Sequence, residues 1–70
     1  MSAKSELLLK VARELVSRTT PGEVIKAVRM GLHAHREAEA LALARAGAER
    51  WPENETLQGM AAAAHLVDGR

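Results

Sequence analysis

The chain is organised around the stretch from Glu37 to Asn54, E-A-E-A-L-A-L-A-R-A-G-A-E-R-W-P-E-N. This stretch predicts a central helix. Nearly every residue before Trp51 favours a helix, and Pro52 ends it because proline lacks the amide hydrogen that a helix interior needs. Small residues recur at spacings of three and four on one side of this helix, at Ala40, Ala44, Gly47 and Ala48. Trp51 lies at the end of the same side. Arg45 and Glu49 point elsewhere and can pair on a solvated face. We therefore expect neighbouring helices to pack closely against the small residues.

The residues before this stretch predict two further helices. The first covers residues 5–18, and its core side is expected to comprise Leu8, Val11, Ala12 and Leu15, widened by Leu7, Leu9 and Val16. Thr20, Pro21 and Glu23 form a capping box with proline at the first helical position, which predicts the start of the second helix. That helix runs to about Leu32 with Val24, Ile25, Val28 and Leu32 inward, and His33 to Arg36 form the next joint.

A fourth helix is predicted after the turn at Pro52. Asn54 is the candidate N-cap, the helix covers Glu55 to about Val67, and Gly69 ends it. Its inward side is expected to comprise Leu57, Met60, Ala61 and Ala64. The short connections favour antiparallel neighbours. The sequence thus predicts an all-α protein in which about four short helices form antiparallel helix-turn-helix hairpins, within one domain covering residues 1–70.

The spacing Ala40-x3-Ala44-x2-Gly47-x4-Pro52 resembles the second helix of a tetratricopeptide repeat. Pro21 to Leu32 takes the place of the first helix of the same repeat, and Pro52 to Gly69 resembles the turn and first helix of the next one. Two departures are that the family's large aromatic residue is Ala44 here and its inter-helix glycine is His35. The resemblance implies stacked hairpins with a groove that holds a peptide or a partner helix. It also allows the chain to be a fragment of a longer repeat array.

A second stretch, Leu8 to Leu32, resembles the two helices of ribbon-helix-helix repressors and antitoxins, which read DNA with an N-terminal strand. Only Met1 to Lys4 precede the first helix, which is too short for that strand. Residues 1–36 hold seven Lys and Arg against three Glu, a balance that suits phosphates. These cations are spread along two helices without aromatic residues among them, which favours a solvated basic face. A dimeric DNA-binding antitoxin or repressor is the alternative function.

Residues for catalysis and for cofactor binding are scarce. The chain has no cysteine, no glycine-rich phosphate loop and no paired carboxylates in an enclosing pattern. The only pieces for a nucleophilic triad are Ser17, His33, His65 and Asp68, and no local motif surrounds them. The histidines have no recognised metal-ligand spacing. We therefore expect a protein that is not an enzyme, without catalytic residues, cofactor or metal.

The expected function is protein–protein interaction, as an adaptor, small chaperone or assembly subunit. In a helical stack the last helix needs a polar outer side, yet the fourth helix keeps an apolar strip after packing within the chain. The partner-binding residues predicted there are Leu57, Met60, Ala63 and Val67. We expect the partner to be another protein or a second copy, with a homodimer preferred. Lys10 interrupts the N-terminal apolar run, so neither a signal peptide nor a membrane span is expected and the predicted location is cytoplasmic.

Overall fold

Four helices form an all-α fold in the computed structural model, which describes the backbone of residues 3–68 and the side chains of residues 6–64. They are α1 (Ala3–Val16), α2 (Pro21–His33), α3 (Glu37–Arg50) and α4 (Glu55–Asp68), and no strand occurs within the described backbone. The predicted fold class is confirmed, and the predicted helix ends lie within about two residues of the observed ones. None of these helices combines the length and the apolar character needed to cross a membrane within the described residues.

Helix α3 is the centre of the fold. It packs against α1, α2 and α4, whereas α2 and α4 touch each other only slightly and the remaining helix pairs have almost no contact. The small residues predicted on one side of α3 are buried: Ala40, Ala44, Gly47 and Ala48, with Trp51 half-buried. Ala42 and Ala46 are buried as well, which was not predicted. A helix with three neighbours is covered on more than one side, and this covering explains the additional buried alanines.

The closest approach of three helices occurs at Gly47. A Cβ atom placed there would lie 3.1 Å from Leu57 Cδ2 of α4 and 3.1 Å from Val24 Cγ1 of α2. Leu57 has no exposed surface and Val24 is buried, so neither side chain has room to withdraw. Glycine at this position therefore sets how closely α2 and α4 approach the central helix.

The orientation of α1 differs from the prediction. Ala12 and Val16 are buried and Leu8 and Leu9 are partly buried, as expected for the core side. Val11 and Leu15, which were predicted to face the core, are 49% and 54% exposed. Because α3 is the main neighbour of α1, only one narrow side of α1 is covered, and the small Ala12 allows close approach to an alanine-rich surface. The apolar residues beyond that side remain outside the core.

The core side of α2 also differs in part from the prediction. Val24 and Val28 are buried as predicted, and Ile25 is half-buried. Leu32 is exposed at the last turn of α2, where Gly31 and not Leu32 faces Ala40 of α3. Val24 and Val28 are thus the buried residues of this helix.

Two predicted N-caps are confirmed. The Thr20 hydroxyl oxygen accepts a hydrogen bond of 3.3 Å from the Glu23 N–H at the start of α2. Asn54 Oδ1 accepts one of 3.0 Å from the Leu57 N–H at the start of α4. Within the described residues the Thr20 N–H does not donate to the Glu23 carboxylate, so only half of the predicted capping box is formed. These local bonds explain why the starts of α2 and α4 could be predicted well.

The end of α2 places a histidine in a left-handed backbone conformation. His35 has φ 61°, and its N–H donates to the Leu32 carbonyl at 3.3 Å. The following Arg36 N–H donates to the Gly31 carbonyl at 2.8 Å. This pair of bonds is the Schellman arrangement, whose left-handed residue is usually glycine because a Cβ atom is crowded there. The position is the one at which the tetratricopeptide pattern has its inter-helix glycine.

Gly47→Ala should lower the free energy of unfolding relative to Gly59→Ala. Gly59 lies within α4 with no neighbouring atom within 4 Å of an added Cβ, so it serves as a matched control. Both substitutions stabilise their helix equally, because alanine favours a helix more than glycine does. The difference between their unfolding free energies therefore measures the clash at Gly47, about 1–3 kcal/mol. Chemical denaturation of the two variants measures it. Equal stability of the two variants would show that α2 and α4 do not approach α3 as described.

His35→Gly should raise the free energy of unfolding by about 1 kcal/mol, because glycine removes the crowding of a Cβ atom in a left-handed residue. Ala34→Gly, one residue earlier at φ −89°, is the control and should bring no gain. Thermal or denaturant unfolding measures both changes. A loss of stability in His35→Gly would mean that the imidazole makes a compensating contact.

Candidate functional site: an apolar groove between α1 and α2

An open apolar groove runs between α1 and α2, with α3 as its floor. It consists of three adjoining depressions of about 260, 440 and 90 Å³, and Leu43 of α3 lines all of them. One apolar wall is formed by Leu8, Val11 and Leu15 of α1. The other is formed by Ala27 and Met30 of α2 and by Ala34 at its C-cap. The groove exists because both helices pack on α3 but have almost no contact with each other.

Large apolar side chains on the walls are exposed to solvent. Met30 is 62% exposed, and Val11 and Leu15 are about half exposed. Leu7, which is 61% exposed, precedes Val11 by four residues and extends the same stripe of α1. Contiguous exposed apolar surface of this kind on a small protein marks an interaction site more often than isolated exposed residues do. We call Leu7, Val11 and Leu15 the α1 stripe.

Charged side chains occur only at the rim of the groove. Glu23 lines one end, near Leu15, and Arg36 lines the other end. Glu39 lies between the α1 wall and the Arg36 end, and its Oε2 is 4.0 Å from Arg36 Nη1. None of the buried residues among those described is polar or charged. The groove can therefore bury apolar side chains and contact charges at its edges, but it holds no buried group for acid–base or nucleophilic chemistry.

The wall formed by α1 is held to α3 by an ion pair outside the groove. Arg13 Nε lies 2.9 Å from Glu49 Oε1 and Arg13 Nη2 lies 3.0 Å from Glu49 Oε2, so the contact is bidentate. These hydrogen bonds hold the pKa of Glu49 below its ordinary range. The positive charges of Arg13 and Arg45 also lower the pKa of Glu49, whereas its partial burial raises it. Glu49 thus contacts Arg13 of another helix, and the charge of Arg45, the predicted partner on α3, also lowers its pKa.

The predicted partner-binding residues of α4 occupy different environments. Leu57 has no exposed surface and belongs to the core, so a second molecule does not reach it in this structure. Met60 is half-buried and Ala63 is exposed. The side chain of Val67 lies outside the described residues. Among the side chains that the structure describes, the exposed residues next to Met60 and Ala63 are the small Gly59 and Ala62.

The histidines at the α2–α3 joint, His33 and His35, are both exposed. The side chain of His65 lies outside the part of the molecule whose side chains are described. Within that part, no group of three or more His, Cys, Asp or Glu is arranged to hold a metal ion. The structure therefore gives no geometric support to a histidine metal site among the described side chains.

Sequence reasoning did not find the groove. One signal was present, since the three consecutive leucines at Leu7 to Leu9 showed that more than one side of α1 is apolar. The spacing of the α1 stripe at intervals of four was a second signal. The core was the preferred interpretation of α1 and partial exposure to a partner was the alternative, because the gap between α1 and α2 depends on how the two helices sit on α3.

Comparisons with known proteins found no match: no protein-family model, no curated protein and no solved structure is similar to this chain. The groove is therefore interpreted from its own geometry.

Glu49→Gln should reduce the pH dependence of stability in acid. A carboxylate whose pKa is lower in the folded state stabilises the fold fully above its unfolded pKa, and this contribution is lost as pH falls through the folded value. Wild-type protein should therefore lose more of its thermal midpoint than Glu49→Gln between pH 7 and pH 3. Glu53→Gln, in the exposed turn after α3, controls for the loss of one charge. An identical acid response of Glu49→Gln and wild type would contradict the role of the Arg13 contact.

Proposed function

We propose that this protein is a protein–protein interaction module, acting as an adaptor, small chaperone or assembly subunit. The observation that carries the proposal is the groove between α1 and α2, with its apolar walls and charged rim. Exposed Val11, Leu15 and Met30 give a partner apolar surface to cover. The resemblance to tetratricopeptide repeats supports the same function, because that family holds peptides or partner helices in grooves between helices.

The shape of the groove suits an amphipathic helix. Its walls are helices, its floor is α3 with Leu43 common to all three depressions, and it is open along its length. An amphipathic helix places apolar residues at intervals of three and four into such a groove and leaves its charges at the rim. Glu23 and Glu39 favour a partner with basic residues beside its apolar side, and Arg36 adds a contact for one acidic residue. Burial of the partner's apolar side chains would supply most of the binding free energy.

A photoreactive amino acid in place of Met30 should give a specific covalent adduct in the cells that produce the protein, because Met30 lies on the groove wall. The same group at Glu53, exposed in the turn after α3, should give none. Val11→Glu, on the opposite wall, should reduce the Met30 adduct at least fivefold by placing a charge in the apolar groove. Mass spectrometry of the adducts identifies the partner and measures the reduction.

Three results would contradict this proposal. Equal labelling from Met30 and Glu53 would show that the groove is not a binding site. Adducts from a photoreactive group at Met60, with none from Met30, would place the interaction on the predicted α4 surface instead. Recovery of duplex DNA in place of a polypeptide at Met30 would favour the DNA-binding alternative.

A further inference from the structure

A ladder of charges follows the α1 stripe. Glu6, Lys10 and Glu14 lie in α1 and Arg18 lies in the turn that continues it, so the sign alternates every four residues. All four side chains are exposed. No ion pair joins them to one another in the part of the chain that the structure describes, although residues four apart on a helix are close enough to pair. Each of these charges is available to a partner beside the apolar stripe.

We propose that α1 of a second copy of this chain packs antiparallel against α1 at the edge of the groove, about a two-fold axis at Val11. This inference rests on the proposed function, because the α1 stripe forms one wall of the groove, and it names the partner of that wall. In such an interface one patch contacts itself, so the α1 stripe of each copy covers the α1 stripe of the other. The exposed apolar side chains of the stripe would then be buried in the dimer.

The order of residues along α1 specifies this register. With Val11 opposite the Val11 of its partner, Leu7 lies opposite the partner's Leu15, and the stripe is paired along its whole length. The ladder then places Lys10 beside Glu14 of the partner subunit and Glu6 beside Arg18 of the partner subunit. Every charge meets one of opposite sign, and the two-fold axis doubles each pair. A parallel two-fold pairing would place the ladders of the two copies on opposite sides of the interface, where their charges could not pair.

Single cysteine variants test the register directly, because the chain has no cysteine of its own. Val11→Cys should form a disulfide-linked dimer on mild oxidation, since the two residues meet at the axis. Leu7→Cys alone should not, because in this register the two copies are about 12 Å apart along the helix, beyond the 7 Å reach of a disulfide. A mixture of Leu7→Cys and Leu15→Cys chains should link to each other. Efficient linking of Leu7→Cys to itself would overturn the antiparallel register.

Charge exchange tests the ladder without changing the apolar stripe. Lys10→Glu should weaken dimerisation about tenfold, because it places two like-charged pairs across the axis. The double variant Lys10→Glu with Glu14→Lys restores both pairs and should return the affinity to near the wild-type value. Sedimentation equilibrium measures the dissociation constant, and circular dichroism verifies that both variants remain helical. Failure of the second change to restore affinity would overturn the proposed charge pairing.

An α4 variant is the matched control for the surface. Ala63→Glu places a charge on the exposed side of α4 and should leave the dimer intact. If Ala63→Glu dissociates the dimer and Lys10→Glu does not, the α4 surface is the interface and the inference is wrong. A wild-type monomer at high concentration, with a Met30 adduct to a different polypeptide, would overturn the dimer but leave the proposed function standing. A monomer without any Met30 adduct would overturn both.

Discussion

The backbone of α3 at Gly47 lies so near Leu57 and Val24 that one added carbon atom would be 3.1 Å from each. This contact connects three of the four helices, because Val24 belongs to α2 and Leu57 to α4. The alanines on either side of Gly47 extend the same close approach along α3, and Ala12 allows it from α1. The packing of the four helices depends on the absence of large side chains on α3. The positions of α1, α2 and α4 follow from how closely each approaches the α3 backbone.

A core of this kind gains little apolar burial for each residue. Eight of its buried members are alanine or glycine, and its largest side chains with less than 2% exposure are Leu57 and Val28. An alanine removes much less apolar area from water than a leucine does, and the larger residues of α1 and α2 remain at the surface. The same cause, a narrow central helix, thus accounts for both the small core and the apolar groove. A partner in the groove would supply the burial that the isolated chain lacks.

What could be predicted from the sequence followed from local chemistry. The starts of α2 and α4 depend on Thr20 and Asn54 and their own backbone neighbours, so a few consecutive residues were enough. The stripe on α3 depends on helical periodicity, which is equally local. The exposed side of α1 could not be predicted from its own residues, because apolar residues cover more than one side of this helix. Which of these sides is buried depends on the helices that pack against α1. The groove was missed for the same reason, since a gap between helices is a property of their packing.

The separate attachment of α1 has a consequence for the order in which the chain folds. Helices α2, α3 and α4 contact their sequence neighbours, so their association closes only short loops. Helix α1 contacts α3 and bypasses α2, and its Arg13–Glu49 contact joins residues 36 positions apart. Contacts of such long separation form late, because the entropy of closing the intervening loop opposes them. We therefore expect α2 to α4 to assemble first and α1 to dock last, so that the groove comes into existence only at the final step of folding.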